Sequence, residues 1–406
     1  MTIVSPEPTA VDAALGRAAD ALRRRQHADG WWKGELETNV TIDAEDLLLR
    51  AFLGILEPEQ AAATATWVRS RQRADGTWAT FYEGPADLST TVEAWAALRL
   101  AGDPADAAHM RKAQEFVLDA GGVEASRVFT RIWMALFGLW PWERLPVIPP
   151  ELVLLPRWAP LNIYDFGCWA RQTLVPLTIV GTYRPVRPLP FGINELRTGR
   201  PATPPVPLGS WRWAFAQADR ALQVYERRPW RALRRVALAR AEQWIVQRQE
   251  ADGSWGGIQP PWVYSLIALA LRGYDLGHPV MKAGIEGFDG FTVVDAEGRR
   301  LEACQSPVWD TALAATALAD AGTAHDDPVL VKAAEWLLGE EVRVRGDWSV
   351  RKPSLAPGGW AFEFANVNYP DIDDTAEVGL ALMRVGADSS AALERGRAWV
   401  LGMQSS

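Results

Sequence analysis

The 406-residue chain is long enough for one large domain or two of ordinary size, with ample core. Its formal net charge of -8 argues against nucleic-acid binding, and its two cysteines exclude a disulfide framework and fit a reducing compartment. The hydrophobic share of 48% and charged share of 23% are ordinary, but 21 Trp residues are far above common usage and imply a need for large aromatic faces.

The first residues, MTIVSPEP, lack a basic region followed by an apolar one, so no export signal is expected. A helical apolar stripe follows over Ala10 to Arg25, built on Ala14, Leu15, Ala18, Ala19 and Leu22. Further helices are predicted over Ala44 to Ile55, Thr90 to Leu100, Ala239 to Gln249, Val308 to Ala321, Pro328 to Leu338 and Thr375 to Val385. Two proline-rich excursions, Leu139 to Pro160 and Tyr183 to Gly209, forbid regular helix. Asp289 to Glu302 reads as a small hairpin. No run of strand alternation stands out, so the expected class is all-α. The four histidines, His27, His109, His278 and His325, lie singly and without zinc-ligand spacing. No uncharged apolar run approaches the ~18 to 20 residues a membrane helix needs. The aromatic-rich stretches from Trp133 to Trp158 and from Trp211 to Phe215 read either as core or as surfaces that lie on a bilayer.

One pattern recurs: Gln, three residues, Gly, one residue, Trp. It runs from Gln26 through Gly30 to Trp32, from Gln72 through Gly76 to Trp78, and from Gln249 through Gly253 to Trp255. A looser copy with Glu for Gln runs from Glu341 through Gly346 to Trp348. An aromatic and an aliphatic residue precede the later copies, as in Trp67-Val68, Trp244-Ile245 and Trp336-Leu337. Trp399-Val400 repeats that approach, and the pattern is expected to break off inside a repeat at Ser405-Ser406. Gln26 to Gln72 spans half the interval from Gln249 to Glu341, which fits units of two helices and a turn. In each unit the Gln amide is expected to bond carbonyls left open at a helix end, the Gly to permit a left-handed turn, and the Trp to cover the junction. The repeat therefore reads as a structural pin.

Chemistry is concentrated in Asp371, Asp373 and Asp374, which precede Thr375 at the start of a helical pattern. A helix cap explains an Asp and a Thr there, but three carboxylates in four residues exceed what a cap needs. Crowded like charges retain a shared proton, and a carboxyl kept protonated is a general acid. The alternative is a Mg²⁺ site for a diphosphate, although no second acidic cluster accompanies the motif.

Together with the repeats, the motif resembles the squalene-hopene cyclase family of triterpene cyclases, relatives of the oxidosqualene cyclases. The resemblance covers the whole chain, through residues 160–169 (PLNIYDFGCW), 256–262 (GGIQPPW), 306–311 (SPVWDT), 358–362 (GGWAF) and 369–376 (YPDIDDTA). It implies cation-olefin cyclisation of squalene without cofactor or metal, with Asp373 as the acid and Asp371 and Asp374 as flanking carboxylates. Trp169, Trp309 and Phe362 would line the cavity and spread positive charge through cation–π attraction, roughly 0.5 to 2 kcal/mol each. Glu45, Glu93, Arg127 and Gln259 match positions that hold ordered water where the last cation loses a proton or captures water.

The resemblance also implies an α/α toroid fold of two barrels. The inserted barrel would be complete over residues 36–304, and residues 1–35 and 305–406 would form an incomplete first barrel carrying the acidic motif. The histidine that partners the catalytic Asp in the family has no counterpart after Asp373, so this chain alone is expected to be inactive and prone to aggregate. A monotopic contact with the cytoplasmic face of a membrane and a homodimer are further expectations. Two readings stay open: a class II diterpene cyclase acting on a C20 diphosphate, and a non-catalytic helical scaffold that binds a lipid.

Overall fold

A computed structural model describes residues 9–200, 207–387 and 389–404. Residues 1–8, where no export signal is expected, the prolines Pro201, Pro204 and Pro205, and the expected break at Ser405-Ser406 lie outside the described residues. The chain is all-α, as the toroid family requires, apart from one two-stranded sheet among the described residues. Its contacts divide it into two units. The first comprises Met1–Leu36, Glu250–Asp252 and Cys304–Ser406, and the second Glu37–Gln249 and Gly253–Ala303.

In chain order the helices are α1 (Ala10–Arg25), α2 (Thr41–Leu53), α3 (Pro58–Ser70), α4 (Leu88–Leu100), α5 (Ala108–Asp119), α6 (Val128–Leu136), α7 (Cys168–Tyr183) and α8 (Trp211–Arg227). They continue as α9 (Arg231–Val246), α10 (Gln259–Leu271), α11 (Pro279–Gly290), α12 (Pro307–Asp320), α13 (Pro328–Gly339), α14 (Ile372–Arg384) and α15 (Ser390–Met403).

Burial separates inner helices from outer ones. In the second unit α2, α4 and α10 are buried on nearly every side, including polar positions, which marks helices surrounded by protein. They pack in succession, α4 on α2 and α2 on α10, and α10 packs on α7. Outer helices α3, α5 and α11 bury a single stripe each. Helix α8 buries none of its residues. In the first unit α12 packs against α1, α13 and α14, and α14 packs against α15.

The hairpin forms as read: β1 (Thr292–Asp295) pairs antiparallel with β2 (Gly298–Leu301). Asp46, buried on α2, accepts from Arg299 at 2.5 Å and ties β2 to that helix. The proline-rich excursions contain only short 3-10 turns among the described residues.

The repeats are pins, but their bonding differs from expectation. The Gln side chain does not close its own helix. Gln26 Nε2 donates to Gly30 O and Val329 O, Gln72 Nε2 to Gly76 O and His109 O, and Gln249 Nε2 to Gly253 O and Val280 O. Each second acceptor lies in the first turn of the next outer helix, so one amide joins two elements. A carbonyl in the last turn of the preceding helix accepts from the Trp indole instead: Leu22 O from Trp32, Val68 O from Trp78 and Ile245 O from Trp255, at 2.7 to 2.8 Å. A Cβ on Gly253 would stand 2.1 Å from Ala283 O, and its φ is +88°, so only glycine fits there.

The fourth copy is also corrected. The indole that takes the Leu337 carbonyl is that of Trp360, at 2.6 Å, and Trp348 instead packs edge-on against Trp399. Gly358 supplies the close approach, its Cβ position meeting the Arg395 backbone. The true copy runs from Glu341 to Gly358 and Trp360, with the segment from Val342 to Pro357 inserted between. Glu341 keeps the joining role with reversed polarity, accepting from Arg395 Nε and Nη2 at 2.6 and 2.7 Å.

Candidate active site

The acidic motif hangs on that fourth pin. Trp360 N–H donates to Thr375 Oγ1 at 3.0 Å, and Asp371 N–H donates back to Trp360 O at 3.0 Å. Thr375 Oγ1 donates to Asp371 O at 2.5 Å, and Asp371 Oδ1 caps α14 by accepting from Asp374 N–H at 2.8 Å. Asp371 thus fulfils the capping role open to it from its position, and the turn it fixes presents the next carboxyls. Asp373 is exposed, while Asp374 is buried.

Burial raises the Asp374 carboxyl, with Asp371, Glu363 and Asp373 adding to the effect, so that it is pushed up to about 9. Burial thus favours the neutral form of the Asp374 carboxyl over its carboxylate. Asp374 Oδ1 has no hydrogen-bond partner among the described residues. Glu363 is a second buried acid, raised to about 8 by burial first and then by Asp371 and Asp252. Asn366 Nδ2 donates to its Oε2 at 3.1 Å. The same loop is gripped by Glu250, which accepts from Val367 N–H, Asn368 N–H and Asn368 Nδ2.

A different set of carboxyls occupies the second unit. Glu93, wholly buried on α4, accepts from Arg127 Nη2 at 2.8 Å and from the Thr130 hydroxyl. Arg127 Nη2 also donates to Thr41 Oγ1 at 3.0 Å, and its N–H donates to Ser89 Oγ at 2.9 Å. On α2, Glu45 accepts from Gln259 Nε2 at 3.0 Å. Burial raises Glu45 to about 8, with Glu93 adding to it and Gln259 and Arg127 opposing. All four residues predicted for this end thus meet in one cluster. Two buried polar atoms in it, Gln259 Oε1 and the Tyr264 hydroxyl, have no hydrogen-bond partner among the described residues.

Of the three predicted aromatics, Trp169 lies at the start of α7 in the second unit, 39% exposed, with its indole donating to Gly256 O at 3.0 Å. A Cβ on Gly256 would come within 3.2 Å of that ring, so the glycine pair Gly256-Gly257 lets the indole sit close to the backbone. Trp309 on α12 and Phe362 beyond the Trp360 pin are half-buried in the first unit. Sequence reasoning missed Glu363, Glu250, Asn366 and Tyr264. The only signal for Glu363 is its place among Trp360, Phe362 and Phe364. Among the described residues no cluster of His, Cys, Asp and Glu is arranged to hold a metal ion.

Known proteins resemble this chain in sequence. Residues 15–297 match the squalene-hopene cyclase N-terminal domain, and residues 305–406 match the squalene-hopene cyclase C-terminal domain. A squalene-hopene cyclase of Alicyclobacillus acidocaldarius is 45% identical over 98% of this chain and 64% of its own length. A squalene hopane cyclase of Aspergillus fumigatus is 38% identical over 92% of the chain and 53% of its own length. A squalene-hopene cyclase of Zymomonas mobilis is 35% identical over 99% of the chain and 64% of its own length. The chain thus spans less than two thirds of each of these relatives. Two domain models laid end to end over pins, caps and carboxyls place the chain in the squalene-hopene cyclase family.

Proposed function

We propose that this chain carries the initiating acid of a triterpene cyclase that converts squalene to hopene or hopanol. The observation that carries the reading is a buried carboxyl, Asp374, with an unpartnered Oδ1 among the described residues, beside two further carboxyls on one capped turn. Asp373, exposed on the first turn of α14, is the donor; Asp371 and Asp374 are the flanking carboxyls that set its acidity. The acid gives its proton to the CH carbon of the terminal double bond, and the tertiary cation left on its dimethyl carbon is attacked in turn by the remaining double bonds. Trp169, Trp309 and Phe362 offer non-nucleophilic faces to the positive charge. The cluster of Glu45, Glu93, Arg127 and Gln259 handles termination, by proton loss to give hopene or by capture of water to give hopanol. The unpartnered Gln259 Oε1 and Tyr264 hydroxyl support that assignment, since both can bind water.

The substrate is a hydrocarbon, and α8 supports delivery from a membrane surface at its cytoplasmic face. Trp211 is 82% exposed and Phe215 60% exposed on a helix that buries none of its residues, with Leu208 and Trp230 exposed at its flanks. No helix among the described residues is long and apolar enough to cross a membrane.

The test is incubation with squalene and mass analysis of C30 products, with Asp373→Asn in parallel. The expected result is cyclised product from the chain when it is completed with the C-terminal third of a squalene-hopene cyclase relative, none from the 406-residue chain alone, and loss of at least about 100-fold in the variant of the completed protein at unchanged helix content. Equal turnover by the variant would remove the acid assignment. A lipid-binding scaffold would instead bind squalene equally in both and cyclise it in neither.

A further inference from the structure

The acidic turn has a neighbour that the motif does not include. Glu363 is fully buried, and its Oε2 is held by Asn366 while Oε1 has no hydrogen-bond partner among the described residues. The loop that carries it is fixed from behind by the three donors on Glu250, so Glu363 is a placed side chain rather than a stray one. The charged groups that act on it most strongly are Asp371 and Asp252, and it acts in turn on Asp374. All are acidic. A buried carboxylate with one neutral hydrogen bond and like-charged neighbours has no means of offsetting the loss of water, whereas its neutral form costs far less.

We propose that Glu363 is a fourth, proton-carrying carboxyl of the acid site, a positioning residue whose neutral form keeps further negative charge away from Asp371 and Asp374. This rests on the acid reading of the motif and deepens it. Each added negative charge beside an acid makes that acid weaker, so a site that must protonate an alkene gains from a neighbour that stays neutral. The burial-driven rise of Glu363 agrees with this arrangement. Ionisation of Glu363 then switches the site from a stronger to a weaker acid as pH rises.

The experiment is a carboxyl titration of the 406-residue chain, with ¹³C-labelled Asp and Glu side chains followed by NMR and no substrate present. Glu363 is expected to be neutral at pH 7 and to titrate at about 8. Glu363→Gln is expected to lower the Asp374 titration by about one pH unit, because it removes a like charge that acts on Asp374. Asp252→Asn gives a second arm that leaves Glu363 in place and is expected to lower the Glu363 titration. A Glu363 that titrates in the ordinary carboxylate range, or an Asp374 unmoved by Glu363→Gln in a folded chain, overturns the proposal. Absence of squalene turnover would count against the cyclase reading alone, since this titration needs none.

Discussion

At Asp87 and at Asp371 the chain builds one local structure and fills it with different side chains. Asp87 N–H donates to Trp78 O at 2.9 Å, its Oδ1 caps α4 through Thr90 N–H, and Thr91 Oγ1 donates to Asp87 O. Asp371, Trp360, Asp374 and Thr375 repeat every one of these bonds. The Trp N–H closes each pin on the Thr, Trp78 on Thr91 and Trp360 on Thr375. Where the first cap carries Ser89 and Thr90, the second carries Asp373 and Asp374. The geometry of the acid turn is therefore that of the common scaffold, and the chemistry comes from two substituted side chains and the burial around them.

Breaking the scaffold part should hurt both regions alike. Trp78→Ala and Trp360→Ala each remove a fully buried indole and its hydrogen bond to the preceding helix, and each is expected to cost about 3 to 5 kcal/mol. Urea denaturation measures the loss. If only one of the pair is costly, the two pins are not equivalent.

The substituted part should separate the regions by pH. Asp374 has a folded-state pKa above its ordinary value, so the folded state binds the extra proton and stability declines as pH rises from the carboxylate range through about 9. Asp374→Asn is expected to flatten that decline, by up to about 1.4 kcal/mol per pH unit, while Thr90→Val leaves the slope unchanged. Thermal unfolding between pH 5 and pH 9 reads both. Glu45 and Glu363 keep their own share of the slope, so a decline left unchanged by Asp374→Asn would mean that Asp374 does not bind the extra proton.

Removing the caps is a smaller change, about 1 kcal/mol for either Asp87→Ala or Asp371→Ala. Only the second should also lower the Asp374 titration, because Asp371 is one of the groups that raise it. Smaller still is Leu380→Lys, in an apolar groove of about 420 Å³ between α14 and α15. Leu380 is 55% exposed, so stability should move within about 0.5 kcal/mol while self-association, followed by light scattering, falls.

Periodic helices such as α1, α12 and α14 were legible because one face alone is apolar. Helices α3, α10 and α11 were not: α10 is buried on nearly every side and shows no single stripe, while α3 and α11 bury only five and three residues. Helix α7 encloses Pro176. The fourth pin was misplaced because its insertion separates Glu341 from Gly358, and a nearer Gly346 and Trp348 imitate the spacing. The acidic motif and the Glu45 cluster were legible as residues through resemblance, but the division of burial between Asp373 and Asp374 was not. That division depends on which face of the first turn of α14 meets the core. Glu363 and Tyr264 acquire meaning only from burial without a partner, which no local pattern encodes.

The most direct test of the acid is cyclisation of squalene in D₂O. For the completed protein the account predicts one carbon-bound deuterium in each product molecule, carried on a ring methylene of the first ring formed, and loss of that product in Asp373→Asn. A cyclised product free of deuterium, or labelled product at native yield from Asp373→Asn, would contradict it.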